Sequence, residues 1–309
     1  MRVVIAGGSG LIGRRIAAAL ADRGDEVVVL TRRLVASQAP SDEGVAVRAW
    51  NPEEPSGAWV DELRAADAVI NLAGSSVGRW PWTGERMRKL VASRLTSTSA
   101  LVDALPRLPS SDRPPVFISA SGTDIYEGSD SAPATEESSP ADTFLARLCT
   151  DWEAAALRAQ DNGARVVLTR MSLVVDRDAP ALKRLALPVK LFVGGRLGAG
   201  TQWISWIHAS DVAGLMLLAL DSSDVSGPIN FASPDPRQQV DFSRAIAREL
   251  HRPFWLPAPA FAIRLVLGNQ ATLALGSRRV SPARALSLGY SFEQPRLEEA
   301  LALELTSRS

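Results

Sequence analysis

The residues best suited to chemistry stand at the start of the chain, where Val3 to Gly13 reads VVIAGGSGLIG. Gly7, Gly10 and Gly13 give the spacing G-x-x-G-x-x-G between a short apolar run and a helical pattern. In such a turn the first glycine lets the chain leave the strand sharply, the second lets backbone approach a pyrophosphate, and the third lets helix and sheet pack closely. A helix beginning near Leu11, with Ser9 before it and Ile12 in its first turn, would aim its unpaired N–H groups at the phosphates. The pattern predicts a bound dinucleotide. The alternative is a glycine-rich turn with no ligand.

The elements that must hold this turn follow in order. The run Glu26 to Leu30 is a buried strand ending in Thr31-Arg32-Arg33, and no acid lies between Val27 and Ser41. An NAD site places Asp or Glu there for the ribose hydroxyls, whereas arginine suits a 2′-phosphate, so NADP(H) is expected. Val45 to Ala49 is a third strand, Trp59 to Ala65 a short helix, and Asp67 to Leu72 a fourth strand closed by Ala73-Gly74. Leu72, Ala73 and Gly74 thus fall at a strand's carboxyl end, where such sheets bind ligands. Trp80 and Trp82 occupy the next loop, and Gly84 to Ala104 is a long helix carrying Ser93. Pro114 to Ser119 is a fifth strand with a polar tip from Ser119 to Tyr126. After a loop from Gly128 to Asp142 come a helix, Phe144 to Gln160, and a sixth strand, Arg165 to Leu168, with Arg170 at its end. Beyond it the alternation loosens into a glycine-rich loop, Val193 to Gln202, and an aromatic segment, Trp203 to His208. Asp211 reads as the cap of a helix from Val212 to Leu220; Ile229 to Ala232 is a seventh strand, and the remainder is mostly helical. Strand and helix alternating at this spacing predict an α/β protein with a doubly wound parallel sheet.

Composition sets outer bounds. The 309 residues are 46% hydrophobic and 22% charged, ordinary for a globular chain. With 34 basic and 34 acidic residues, bulk charge points to no nucleic acid. A lone cysteine, Cys149, excludes an internal disulfide and fits a reducing compartment. The chain enters a strand at once, which argues against a signal peptide. Its most apolar late stretch, Phe261 to Leu275, is too short and too polar to span a bilayer. The expectation is a cytoplasmic protein with a small-molecule substrate, no membrane partner and room for a homodimer. His208 and His251 are the only histidines and no metal-ligand spacing occurs, so no metal is expected.

Several motifs together resemble the extended short-chain dehydrogenase/reductase superfamily, within an epimerase-like subfamily that carries its own small C-terminal domain. They are GGSGLIG at Gly7–Gly13, INLAG at Ile70–Gly74, Ser93-Arg94, FISAS at Phe117–Ser121, FLARLCTDWE at Phe144–Glu153 and GGRLGAGTQWISWIHASD at Gly194–Asp211. The closing VLGNQATLALGSRRVSPARALSLGYSF resembles that subfamily's C-terminal domain. The resemblance implies a Rossmann-like domain over residues 1–235, with substrate-domain insertions near 175–205. A smaller, mainly helical domain over 236–309 would close the cleft. It also implies cofactor contacts at Ser93 and Ser119.

Members of the superfamily usually pair a Ser or Thr after the fifth strand with a Tyr and, four residues on, a Lys. The tyrosine moves the proton and the lysine lowers its pKa. Ser121 falls at the serine position, but the Tyr and Lys positions carry Leu145 and Cys149. The only tyrosines, Tyr126 and Tyr290, have Asp130 and Gln294 four residues on, so no Tyr-x-x-x-Lys pair exists. The candidate catalytic groups are therefore Ser121, Asp124 and Tyr126, with Tyr126 alternatively a wall of the site. Arg170 either meets a substrate anion or pairs with Glu153. His208 either lines the substrate cleft or bonds a carboxylate such as Asp211. Trp80, Trp82, Trp203 and Trp206 either face a flat substrate or cement the two domains. Three functions fit: an NADP(H)-dependent oxidoreductase on a small carbonyl or aromatic substrate with an unusual proton donor, a nucleotide-sugar epimerase, or a cofactor-bound sensor without turnover.

Overall fold

The computed structural model describes residues 1–32, 44–54, 56–128 and 132–306. Its first half alternates as the apolar runs dictate: β1 (Arg2–Ala6), α1 (Leu11–Asp22), β2 (Glu26–Thr31), β3 (Val45–Ala49), β4 (Ala68–Asn71), α2 (Gly84–Ala104), β5 (Val116–Gly122), α3 (Phe144–Leu157) and β6 (Arg165–Met171). The second half holds β7 (Leu173–Val175), α4 (Pro180–Lys190), β8 (Trp203–Ile204), β9 (Trp206–His208), α5 (Ala209–Asp221), β10 (Gly227–Phe231) and β11 (Arg237–Gln238). It ends in α6 (Gln239–Glu249), α7 (Ala260–Leu267), α8 (Thr272–Leu275), α9 (Ala283–Ser287) and α10 (Leu297–Leu305).

Seven strands form one parallel sheet in the order β10-β6-β5-β4-β1-β2-β3. Strands buried on both faces must be apolar at successive positions, as Val3–Ala6 and Val27–Leu30 are. Val3 and Ile5 face a core with Ile16, Leu20, Leu215 and Met216 of α1 and α5. Val4 and Ala6 face the opposite core, with Leu101 and Ala104 of α2 and Ala156 of α3. Strand order reverses between β1 and β4, and this places the ligand crevice of such a sheet beside the turn after β1.

A third core joins β7, β9, α4, α6 and α10 through Val175, Leu182, Trp206, Phe242 and Leu301. It spans residue 235, because β11 pairs with β8, α6 packs on α4, and α10 packs on α6 and β7. Residues 58–63 form the short helix expected there, of the 3-10 kind. Two local readings differ from the sequence expectation. Helix α4 forms where the alternation had loosened, with Pro180 at its start and Pro188 in its last turn. Helix α5 is capped by His208, whose Nδ1 accepts from Ser210 N at 3.2 Å, so Asp211 lies inside the helix instead of capping it.

Candidate active site

The turn after β1 is held by main chain. Gly7 N donates to Leu30 O at 3.1 Å and Gly10 N to Gly7 O at 3.0 Å. Gly7 has φ +81°, and a Cβ there would stand 2.9 Å from Ala73 N and Leu72 C. The tip of β4 is therefore pressed onto this turn. A Cβ at Gly13 would lie 2.5 Å from Gly8 Cα, so α1 packs on the turn only because that residue is glycine. At Gly10 a Cβ would meet only Gly7 O, at 3.3 Å, and the residue is exposed. Helix α1 has no capping side chain and no acid in its first turn. Its first N–H groups at Leu11 and Ile12 therefore remain available to an anion. Ser9 Oγ lies 3.3 Å from Thr31 Oγ1, linking this turn to the tip of β2, where Arg32 is exposed. Arg33 lies outside the described residues. The donor set fits a pyrophosphate at α1, with a cation beside the ribose.

The tip of β4 is braced from α2. Asn71 Nδ2 donates to Thr98 Oγ1 at 2.8 Å, Ala73 N donates to Asn71 Oδ1, and Trp152 Nε1 reaches the same threonine at 2.9 Å. Ser93 Oγ accepts from Ser75 N at 3.0 Å, so this serine shapes the loop after Gly74. Arg94 donates to Ser75 O and Leu90 O and lies 4.9 Å from the Trp152 ring. Burial lowers its pKa.

The tip of β5 is built by side chains instead. Ser121 Oγ donates to Glu153 Oε1 at 2.6 Å, and Arg170 clasps both oxygens of Glu153 through Nε and Nη2 at 2.8 Å each. Arg170 Nη1 donates to the Tyr126 hydroxyl, which donates onward to Asn230 Oδ1 at 2.7 Å. Asn230 N donates to Glu136 Oε1, closing the chain. Tyr126 is 3% exposed, and burial pushes its pKa up to about 12, against the lowering effect of Arg170. Of the two roles open to Arg170, pairing with Glu153 is the one its contacts fill. Burial opposes the charge on Arg170, but Glu153 holds it firmly protonated. Sequence reasoning missed Asn230 and Glu136, which lie 104 and 94 residues from their partners and carry no local signal.

Asp124 stands outside that network. Its Oδ1 pairs with Arg278 at 2.9 Å, and 29% of its side chain is exposed. Cys149 Sγ packs near Gly122, and burial, then Asp124 and Glu153, push its thiol up to about 12. It is an inert thiol at neutral pH. Leu145 is buried with Trp82 and Leu90, while Ser119 is fully buried in β5. Arg278 likewise carries no local signal, since nothing in the Ser277-Arg278-Arg279 run indicates a partner 154 residues away.

The tryptophans divide. Trp80 is 59% exposed, Trp82 is buried edge-on against Phe144, and Trp206 is fully buried with Nε1 donating to Asp235 O. Trp203 is half-buried under the guanidinium of Arg279, 4.4 Å from its ring. His208 Nε2 meets Glu304 at 3.1 Å and its Nδ1 meets Ser210, so its carboxylate partner is Glu304 and not Asp211. Asp211 instead accepts from Tyr290 Oη and from Glu293 N and Gln294 N. Among the described residues no group of His, Cys, Asp and Glu could hold a metal ion, and no helix is long and apolar enough to cross a membrane.

Known proteins resemble this chain in sequence and fold. Residues 3–232 match the NAD dependent epimerase/dehydratase family, and residues 258–303 match a domain of unknown function (DUF1731). An epimerase family protein of Staphylococcus haemolyticus is 33% identical over 299 residues, 96% of each chain. The crystal structure of human epimerase family protein SDR39U1 (isoform 2) with NADPH superposes with a TM-score of 0.87 at 31% identity, covering 98% of both chains. A nucleoside-diphosphate sugar epimerase from Corynebacterium glutamicum gives a TM-score of 0.77 at 29% identity, over 99% of this chain and 58% of that one. The glycine turn, the parallel sheet and the C-terminal helices thus occur in one known combination, and the chain belongs to the NAD dependent epimerase/dehydratase family.

Proposed function

We propose that this protein binds NADP(H) and acts as an oxidoreductase on a small carbonyl or aromatic substrate, with Asp124 moving the proton that the absent tyrosine–lysine pair would otherwise move. The cofactor half is supported by the uncapped start of α1, by Arg32 at an acid-free strand tip, and by NADPH in the human relative. When bound, NADPH supplies a hydride. Backbone N–H groups at Leu11 and Ile12 hold the pyrophosphate, and Arg32 takes the 2′-phosphate. Leu72, Ala73 and Gly74 line the inner end of the crevice. Ser93, through Ser75, keeps that wall in place.

One observation carries the chemical half. Of the three candidate groups, only Asp124 has an oxygen to spare. The hydroxyls of Ser121 and Tyr126 already donate to Glu153 and Asn230. Arg278 grips Asp124 Oδ1 and leaves Oδ2 without a partner among the described residues. The carboxylate takes a proton from an alcohol in the oxidative direction; in reduction the protonated acid gives it to the carbonyl oxygen. Ser121, Glu153, Arg170 and Tyr126 form the wall behind it.

NADPH consumption across a panel of aromatic and aliphatic aldehydes and ketones tests this reading. With an accepted substrate, Asp124→Asn should lower kcat by about 10²–10⁴-fold and leave NADPH affinity unchanged. Retained turnover in Asp124→Asn, with loss in Tyr126→Phe, would return the proton to Tyr126. The likeness to the C. glutamicum protein supports a second reading, epimerisation of a nucleotide sugar, which predicts sugar isomerisation without net loss of NADPH.

A further inference from the structure

Exposed apolar side chains are unevenly spread over this molecule. Among the described residues fifteen large apolar side chains are exposed, and nine of them lie on residues 187–193 and 255–266. Those two stretches are joined. Trp255 N and Leu256 N both donate to Gly194 O, and Trp255 Nε1 donates to Phe192 O at 2.9 Å. Helix α7 starts four residues past Leu256, and only Ile263 of its eight residues is buried. Phe261 and Leu265, 72% and 84% exposed, stand one turn apart on the same side of it. Phe192 has φ 64° because it closes α4: Phe192 N donates to Val189 O and Val193 N to Pro188 O, the bonds of a left-handed helix end. Its side chain is nonetheless exposed. Single exposed leucines need no explanation, but a continuous patch does.

The charge around the patch is mostly of one sign. Residues 179–200 and 244–279 hold ten of the 34 basic residues and one of the 34 acidic ones, Glu249. Lys183, Arg244 and Arg278 pair with Asp178, Asp241 and Asp124 outside those stretches, which leaves seven cations against Glu249. Lys190, Arg196, Arg252 and Arg264 are exposed among the apolar side chains, and the Arg252 guanidinium lies 4.6 Å from the Phe192 ring. A second copy docked here about a two-fold axis would set that cationic excess against itself. Dissolved anions would have no use for the aromatic rings. Aromatic and aliphatic groups rimmed by Lys and Arg suit the boundary layer of a bilayer carrying anionic lipid.

We propose that this face docks the protein peripherally on an anionic phospholipid surface. Phe192, Trp255, Phe261 and Leu265 enter the headgroup–acyl boundary, while Lys190, Arg252 and Arg264 lie among the lipid phosphates. This is contact from one side and needs no spanning helix.

Flotation of the full chain with vesicles of phosphatidylcholine alone, or with roughly three parts in ten phosphatidylglycerol, tests it. Binding to the mixed vesicles should be at least about tenfold stronger and should fall in about 0.5 M salt, which screens surface charge. Phe261→Ser with Leu265→Ser should abolish it, as should Lys190→Glu with Arg252→Glu. Unchanged melting temperatures in both pairs would show that the fold survives these surface changes. Equal binding to the two vesicle types, or none to either, overturns the proposal. So does a concentration-dependent dimer that the same substitutions dissolve, because the patch would then belong to a second copy.

Discussion

The ligand edge of the sheet is built in two contrasting ways. After β1 the structure is backbone: Gly7 and Gly13 allow close approach, and α1 starts uncapped with its N–H groups available. After β5 it is side chain: Ser121, Glu153, Arg170, Tyr126 and Asn230 satisfy one another in a buried chain of bonds. A main-chain site asks little of sequence beyond glycine at fixed spacing. A side-chain site depends on each residue, and the same polar groups can serve chemistry or hold the fold together. The two ends are therefore separable, and substitutions at one should spare the other.

The largest expected effect tests the closed end. Glu153→Ala would leave the Arg170 guanidinium buried, without its carboxylate and beside a tyrosine hydroxyl. Breaking a buried pair from one side costs about 3–5 kcal/mol, so the urea midpoint should fall sharply with no change in slope. NADPH affinity of the folded fraction should stay at the parent value. A loss below about 1 kcal/mol, the range of exposed pairs, would mean the network holds little together.

A second, smaller effect belongs to the same end. Tyr126 and Tyr290 are the only tyrosines, and burial raises the pKa of both. A folded-state pKa of about 12 for Tyr126 exceeds its unfolded value, so the folded state keeps a proton that the unfolded state loses. That contribution is complete below about pH 10 and is lost as pH rises toward 12, on the order of 2–3 kcal/mol. Tyrosinate absorbance should therefore appear only as the protein unfolds. A tyrosine ionising near pH 10 in the folded protein would show that Tyr126 or Tyr290 is wetter than this packing allows.

The same contrast explains what the sequence disclosed. Continuous apolar runs such as EVVVL and VFISA identify buried parallel strands, and glycine spacing identifies the turn, because both signals are local. Helix α4 escaped notice because PALKRLALPVK carries Pro188 in its last turn and runs into a glycine-rich loop. Position along the chain placed Tyr126 just after β5, but not the direction of its side chain, which turns inward to Arg170 and Asn230. His208 meets Glu304 from 96 residues away, and periodicity contains no trace of such pairs. Long-range polar partners are fixed by how α3, β6, β10 and α10 assemble.

At the open end, Arg32→Glu should remove most of the NADPH preference while leaving stability unchanged. The parent should bind NADPH at least about tenfold tighter than NADH, worth about 1.4 kcal/mol. Equal affinities in the parent would remove the 2′-phosphate assignment and leave only the pyrophosphate contact to α1.

The smallest change separates backbone approach from fold. Gly10 has φ −74°, which alanine adopts freely, and its Cβ would meet only Gly7 O at 3.3 Å. Gly10→Ala should thus change stability by less than about 1 kcal/mol. Its methyl would occupy the exposed side of the turn where phosphates approach, so NADPH should bind several-fold more weakly, as isothermal titration can read. Gly7→Ala is the foil, since φ +81° and the clash with Ala73 should destabilise the fold and binding together. If Gly10→Ala binds NADPH like the parent while Arg32→Glu loses its preference, the anchor at this edge is a side-chain cation. The two ends would then differ in exposure alone and no longer in the kind of group that builds them.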